Sequence, residues 1–315
     1  MQFLSCKFIE VGGTYYMCNA NDEVVNLATG EVVTLEQIKE EVRVELMHEM
    51  AKNQSNQREG IEIRKSKDEF SRFIDENFGS FFFSKYKKTL DKFVVDGKYE
   101  SAMAFRFIYL CTYMGYDNKL KFGCKLRGKD RAYMFEKDLQ EVLGLSARET
   151  IYTKKFLFEI GLLKKDDEGV LMVDKMYSKK GRITESFNRE STRVFDNAIR
   201  DMYLNANTKE HKRLGIFFKL LPMINYKFNV VCHNPKEEDV TKIKPMKQKE
   251  VFEYLGLTKN TYVKLLDIKV NDKYAYAKIS TGALKGFFVV NPDIYYAGNN
   301  IDELKGIINL FKIGI

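Results

Sequence analysis

Lys137-Asp138-Leu139-Gln140-Glu141-Val142-Leu143-Gly144-Leu145-Ser146 returns, 112 residues further on, as Lys249-Glu250-Val251-Phe252-Glu253-Tyr254-Leu255-Gly256-Leu257-Thr258. In each copy apolar residues three and four apart predict a short helix. The glycine after its last periodic leucine is a helix stop, and the following Ser or Thr can cap a second helix. Helix, tight turn, helix is the outline of a helix-turn-helix. Its recurrence predicts two related supersecondary units in one chain.

What flanks the copies is also similar. Ahead of the first lies an apolar helix through Ala104, Phe107, Ile108, Leu110, Cys111 and Met114, closing at Gly115-Tyr116. Ahead of the second lies one through Leu214, Phe217, Leu220, Leu221 and Ile224, closing at Asn225-Tyr226. Phe107, Leu110 and Tyr116 answer to Phe217, Leu220 and Tyr226 at a spacing of 110. Behind the first copy, Gly161-Leu162-Leu163 leads through Asp166-Asp167-Glu168-Gly169 into Val170-Leu171-Met172-Val173. Behind the second, Tyr274 to Ile279 turns at Thr281-Gly282 into Phe287-Phe288-Val289-Val290. Both read as hairpins. Three helices and a hairpin make a winged helix, here expected twice; the competing reading is two helical bundles with incidental hairpins.

The expected class is therefore α+β with helix predominating: two tandem winged helix-turn-helix domains behind a small N-terminal β-hairpin and helix region. The boundaries are 1–60, 61–183 for the first winged domain with its lead-in helices, 184–208 for a connecting helix, and 209–315 for the second. In the N-terminal region, Lys7–Val11 with Thr14–Met17 and Glu23–Val25 with Glu31–Val33 read as hairpins. Thr34, with Gln37 three residues on, predicts a capped helix whose apolar stripe is Leu35, Ile38, Val42, Leu46 and Met50. That stripe suits its own hairpins or a partner helix. The polar run Lys52 to Gly60 is the best linker candidate. Phe81-Phe82-Phe83 with Lys85, Lys87 and Lys88 could stack bases of a single strand, but a lead-in strand and helix is preferred. Phe195, Ile199 and Met202 or Tyr203 mark the connecting helix.

Composition bounds the function. A chain of 315 residues that is 44% hydrophobic has ample core for two or three domains. It carries no stretch long enough to span a bilayer and no leader-like N-terminus, so the expected location is the cytoplasm. Five cysteines, at 6, 18, 111, 124 and 232, form no Cys-x-x-Cys pair and read as free thiols. Residues 1–60 hold five Lys/Arg against ten Asp/Glu, a balance of −5; with the chain at +8, the remainder stands at +13. A basic body with two helix-turn-helix units suits a polyanion, because cations displace the counterions condensed on phosphates.

The second helix of such a motif enters the major groove and presents its N-terminal side chains to base edges. Here that selects Arg148, Thr150, Tyr152, Lys154 and Lys155 in the first unit, and Lys259, Asn260, Thr261, Tyr262 and Lys264 in the second. Arg148 can pair bidentately with guanine and Asn260 with adenine. Ser146 and Thr258 are expected to cap. Phosphate contacts fall to Lys179, Lys180 and Arg182 beside the first hairpin and to Lys273, Lys278 and Lys285 in the second. The acidic tip Asp166-Asp167-Glu168 speaks against a backbone grip by the first hairpin.

No catalytic, metal or cofactor residues emerge. Gly123-Cys124-Lys125-Leu126-Arg127-Gly128-Lys129 imitates a phosphate-binding loop, but Asp130 stands where Ser or Thr should hold magnesium. The three histidines, at 48, 211 and 233, make no His-x-His pair.

Phe288-Val289-Val290-Asn291-Pro292-Asp293-Ile294-Tyr295-Tyr296-Ala297-Gly298-Asn299 resembles the wing strand and Asn-Pro…Gly-Asn ending of plasmid and phage replication proteins from Gram-positive bacteria. The helix from Phe105 to Tyr116, the Leu143-Gly144-Leu145-Ser146 turn and the strand into Tyr177-Ser178-Lys179-Lys180-Gly181 resemble the same module in degenerate form. The resemblance covers residues 100–300. It implies an origin-binding initiator or mobile-element regulator without ATPase or nuclease activity, acting on origin repeats or an operator in double-stranded DNA. A homodimer, and a replisome or regulatory partner held by the N-terminal region, fit that role. The alternatives are a transcriptional repressor, a recombinase-like strand-transfer enzyme using Arg, His and Tyr, and a winged-helix interaction scaffold.

Overall fold

The computed structural model describes residues 8–11, 14–18, 24–122, 133–188, 190–258, 264–279 and 286–312. Helix makes up 46% and strand 19%, the strands gathered in several small antiparallel sheets, so the class is α+β with helix in excess. The chain divides into two compact units, residues 1–69 and 70–315.

The first unit opens with a four-stranded antiparallel meander: β1 (Phe8–Val11), β2 (Thr14–Cys18), β3 (Val24–Asn26) and β4 (Val32–Val33), in that spatial order. These are the two hairpins expected there. Helix α1 follows as Leu35–Phe78. Thr34 and Gln37 form the anticipated capping box: the Gln37 N–H donates to Thr34 Oγ1 (3.3 Å) and the Thr34 N–H to Gln37 Oε1 (2.8 Å). Of the apolar stripe on α1, only Met50 has a described side chain, and it is exposed.

The expected linker at 52–60 is a correction, because α1 runs through it without a break. Polarity on every side signals a solvated helix as readily as a loop. The surrounding Glu, Lys, Arg, Met and Gln are strong helix formers, and they outweigh the cost of about 1 kcal/mol at Gly60. The division instead falls at Glu69/Phe70, where α1 changes character. Residues 61–69 are exposed, whereas Phe70, Ile74 and Phe78, at steps of four, are buried in the second unit's core.

The second unit is built on a four-stranded sheet, β10-β5-β11-β16, of β5 (Phe81–Ser84), β10 (Ser178–Lys179), β11 (Thr192–Phe195) and β16 (Tyr295–Tyr296). From β5 the chain passes through α2 (Tyr86–Asp91) and a hairpin of β6 (Val94–Val95) and β7 (Lys98–Tyr99) to α3 (Ser101–Cys111). Then come α4 (Leu139–Leu143), α5 (Ala147–Glu159) and a hairpin of β8 (Leu163–Lys165) and β9 (Leu171–Val173), before the return to the sheet at β10. From β11 the second passage runs through α7 (Asp196–Leu204), α8 (His211–Phe218) and α9 (Gln248–Leu255). A hairpin of β14 (Tyr276–Lys278) and β15 (Phe288–Val290) then returns it at β16, and α10 (Ile301–Lys312) ends the described chain.

The repeat is thus present in three dimensions and reaches beyond the matched ten residues. In the β5–β11 ladder Phe81 faces Phe195, Phe82 faces Val194, Phe83 faces Arg193 and Ser84 faces Thr192. Moving along the chain by 111 residues carries β5 onto β11 and turns each rung into another rung, which is the mark of an approximate two-fold axis. Across that axis α3 and α8 pack closely: Phe105 and Phe218 stack at 5.7 Å, and the Gly215 backbone lies against that of Ser101. Phe107, Leu110, Phe217 and Leu220 all enter one hydrophobic cluster spanning both repeats. The first of these helices ends at Cys111, short of the expected close at Gly115-Tyr116, and Tyr116 is exposed.

A further pair of equivalent residues, Asn118 and Asn229, pins each repeat together. Both are fully buried and both have positive φ, 67° and 53°, a conformation asparagine tolerates better than most residues. Asn118 Nδ2 donates to the carbonyls of Val173 (3.2 Å) and Ser178 (2.7 Å). Asn229 Nδ2 donates to those of Val290 (3.1 Å) and Tyr295 (2.7 Å). Each ties the loop after its repeat's first helix to the exit from its hairpin.

Two other expectations are corrected. The connecting helix at 184–208 is broken by β11 between α6 (Glu185–Asn188) and α7. Thr192, Val194 and Phe195 are buried beside half-buried Arg193, and β11 pairs on both sides within the sheet, so tertiary pairing overrides local helical spacing. In the second repeat an additional hairpin, β12 (Lys269–Val270) with β13 (Lys273–Tyr274), precedes β14. Its turn residues Asn271 and Asp272 have φ of 48° and 62°, the two-residue arrangement that suits antiparallel strands. At the repeat spacing of 112, residues 269–274 correspond to 157–162, so this hairpin falls where α5 ends and the chain passes into β8.

Candidate nucleic-acid interface

The Leu-Gly-Leu turns form as read. Gly144 and Gly256 both lie in the left-handed region, at φ 59° and 68°, and end α4 and α9. An L side chain would be strained there, and glycine is not. Ser146 caps α5 by accepting the Glu149 N–H (3.3 Å). From that cap α5 divides into two faces. Thr150, Thr153, Phe156 and Leu157 are buried, whereas Arg148, Ile151, Tyr152 and Lys155 are exposed along the opposite stripe.

A residue that helical spacing alone does not single out holds this helix. Arg106, in the middle of apolar α3, is only 3% exposed. Its Nη2 meets Glu149 Oε2 (2.7 Å), its Nη1 donates to Thr153 Oγ1 (2.9 Å), and its Nε faces His211 Nδ1 (3.4 Å). One guanidinium therefore joins the first helix of each repeat to α5. The available signal was a lone charge within a run of buried positions, Phe105-Arg106-Phe107. Burial, with Arg106 beside it, pushes the His211 imidazole down to about 4, against the opposing pull of Glu210.

The expected contact residues separate into distinct groups. Arg148, Tyr152 and Lys155 are outward, Lys155 in a loose pair with Glu159 at 3.7 Å. Thr150 is a correction: it is buried, and its hydroxyl donates to the Ser146 carbonyl (3.0 Å), as a helical threonine does when its side chain turns back along the axis. Lys154 is half-buried, held by Glu136 together with Lys165. Those two ammonium groups keep the Glu136 carboxyl below its usual range. Lys180 is bound to buried Asp196 (2.7 Å) and Lys273 to Asp293 (3.0 Å), so both positive charges are largely spent within the protein. Arg182, Lys264 and Lys278 are exposed and Lys179 is half-buried, none with a carboxylate in ion-pair range among the described residues. Lys259, Asn260, Thr261, Tyr262 and Lys285 lie outside the described residues, as does the loop resembling a phosphate site at 123–129.

The acidic hairpin tip is structural. Asp166 accepts the N–H groups of Glu168 (3.0 Å) and Val170 (2.8 Å) and pairs with Lys119. Arg106, His211 and Tyr203 do converge, as a strand-transfer site would require. They are 3%, 2% and 5% exposed, and the Tyr203 hydroxyl donates to the Leu143 carbonyl (2.9 Å). Among the described residues, no three His, Cys, Asp or Glu side chains converge as a metal site, and no helix is long and apolar enough to cross a membrane.

No protein-family model, no curated protein and no solved structure matches this chain.

Proposed function

We propose that this chain is a sequence-specific double-stranded DNA-binding protein of a plasmid or phage, working through two tandem winged helices, with recognition of a replication origin as its task. The observation that supports this most directly is the outward stripe of α5. It carries Arg148, Tyr152 and Lys155 on a helix capped by Ser146 and braced from behind by Arg106. A reading helix needs such a face, polar outside and fixed inside. Asn260 would take the corresponding role in the second repeat. The protein would act in the cytoplasm of a bacterial host, as a homodimer or with a replisome or regulatory partner held by residues 1–60.

Fragments of the parent replicon retained by the full chain at near-physiological salt test this. Enrichment of repeated sites at an origin is the expected result, and an operator overlapping a promoter would make the protein a repressor. Arg148→Ala should relax base preference at one position by about 1–3 kcal/mol. Lys155→Ala should weaken binding evenly across sequences and lower the salt slope by about 1. Retention that is equal for all fragments and untouched by Arg148→Ala would overturn the proposal.

One observation favours a second reading, a protein-interaction scaffold. Ile151 is 61% exposed in the middle of the same stripe, where an apolar side chain serves a protein partner better than a phosphate.

A further inference from the structure

Where the two repeats meet, the structure has a cleft of about 830 Å³. The first repeat supplies one wall, from Lys85 to Tyr99, and the second supplies the other, from Lys219 to Lys236 with Tyr254. The volume is within the usual range for small-molecule sites. Five lysines line it, at 85, 87, 88, 219 and 236, against two carboxylates, Asp91 and Glu190. Glu190 is already engaged by Lys85 (3.3 Å) and Lys88 (3.0 Å). Lys87 and Lys236 are exposed and have no carboxylate in range among the described residues.

The distinctive group is Lys219. Its ammonium donates to the Tyr254 carbonyl (2.9 Å) and lies 5.5 and 5.7 Å from the ring centroids of Tyr254 and Tyr99. It too has no carboxylate in range among the described residues. An ammonium has three protons to donate, and the Tyr254 carbonyl takes one. Lys219 is therefore a fixed, partly desolvated cation with donor capacity left over, and burial lowers its proton affinity. A bound anion would supply the counter-charge that the protein withholds. Around it, Leu90, Val94, Pro222, Met223 and Pro235 give the cleft apolar surface that inorganic phosphate alone would not use.

We propose that this cleft binds a nucleoside phosphate, with the phosphate on Lys219 and the Lys87 and Lys236 rim and the base on the apolar and tyrosine surface. A free nucleotide and a nucleotide within a single strand share this chemistry. The site is separate from the α5 stripe, so it stands or falls independently of the double-stranded DNA reading.

The test uses the full chain and a fluorescent ribose-labelled adenosine triphosphate, followed by anisotropy. Saturable binding is expected, displaced by unlabelled nucleotide and by pyrophosphate but not by adenosine. Lys87→Glu and Lys236→Glu alter exposed side chains and leave the fold intact; each should weaken binding about tenfold, as loss of a charge-assisted contact does. Lys219→Gln should weaken it at least as much with an unchanged melting midpoint, whereas Arg148→Ala should leave it unchanged. Displacement by a short oligodeoxythymidylate at lower concentration than by nucleotide would identify a single strand as the source, and the reverse order a free nucleotide. Absence of saturable binding to either probe would overturn the proposal, as would binding that Lys87→Glu and Lys236→Glu leave untouched.

Discussion

Gly215 and Gly306 both lie inside helices, and the same substitution should act on them with opposite sign. A Cβ added at Gly215 in α8 would sit 1.7 Å from the Ser101 carbonyl oxygen and 2.4 Å from its carbon; one added at Gly306 in α10 meets nothing within 4 Å. Intrinsic helix propensity favours alanine over glycine by about 1 kcal/mol at either position. Overpacking typically costs about 1–3 kcal/mol. At Gly215 the obstacle is backbone rather than a side chain that could turn away, which puts the cost at about 3 kcal/mol or more. Gly215→Ala should therefore destabilise by about 2 kcal/mol or more, and Gly306→Ala should stabilise by up to about 1 kcal/mol. For a unit of this size, 1 kcal/mol moves the midpoint by roughly 2–4 °C. The expected shifts are thus about 4–8 °C downward and up to about 4 °C upward. Thermal and urea unfolding of the full chain, followed by circular dichroism, would measure both. A Gly215→Ala protein as stable as the parent would refute the close approach of α3 and α8, and with it the two-fold packing of the repeats.

Three other outcomes are expected. Asn118→Gly and Asn229→Gly keep the positive φ but strand two buried carbonyls each, so each should lower urea stability by about 2 kcal/mol. The alanine versions should lose roughly 1 kcal/mol more to backbone strain; glycine variants within about 0.5 kcal/mol of the parent would remove the bridging role. The neutral His211 imidazole, held at about 4 against an ordinary 6.5, links stability to pH. The unfolded chain binds the proton more readily, so this contribution is complete above pH 6.5 and drains away as pH falls towards about 4. Its slope is up to about 1.4 kcal/mol per pH unit, and His211→Asn, which keeps an acceptor for Arg106, should flatten unfolding curves between pH 6.5 and 5.

The repeat was legible because a helix stop needs glycine and a helix start needs a hydroxyl, and both requirements are written locally at Leu143–Ser146 and Leu255–Thr258. The N-terminal hairpins and the Asp166–Gly169 turn were legible for the same reason. What could not be read depends on partners distant in the chain. Lys154 and Lys180 look like free cations until Glu136 and Asp196 are seen beside them. Lys219 gains its meaning from Tyr99 and Tyr254. The polar run at 52–60 suits a linker and a solvated helix alike, because polarity reports exposure and not backbone state. At Phe195 the helical spacing was genuine for α7 but lost to strand pairing at its first member.

The β5–β11 ladder has a consequence for how the molecule assembles. Each of these strands is one repeat's inner edge, and each covers the other. Because the rungs exchange under the two-fold axis, a single repeat carries an edge complementary to itself. Two separate copies of such a repeat could close the same sheet as an isologous homodimer. The same self-complementarity leaves a route to exchange: when the repeats separate, β5 of one molecule can pair with β11 of another. Domain-swapped dimers are accordingly the form in which this protein should misassemble at high concentration.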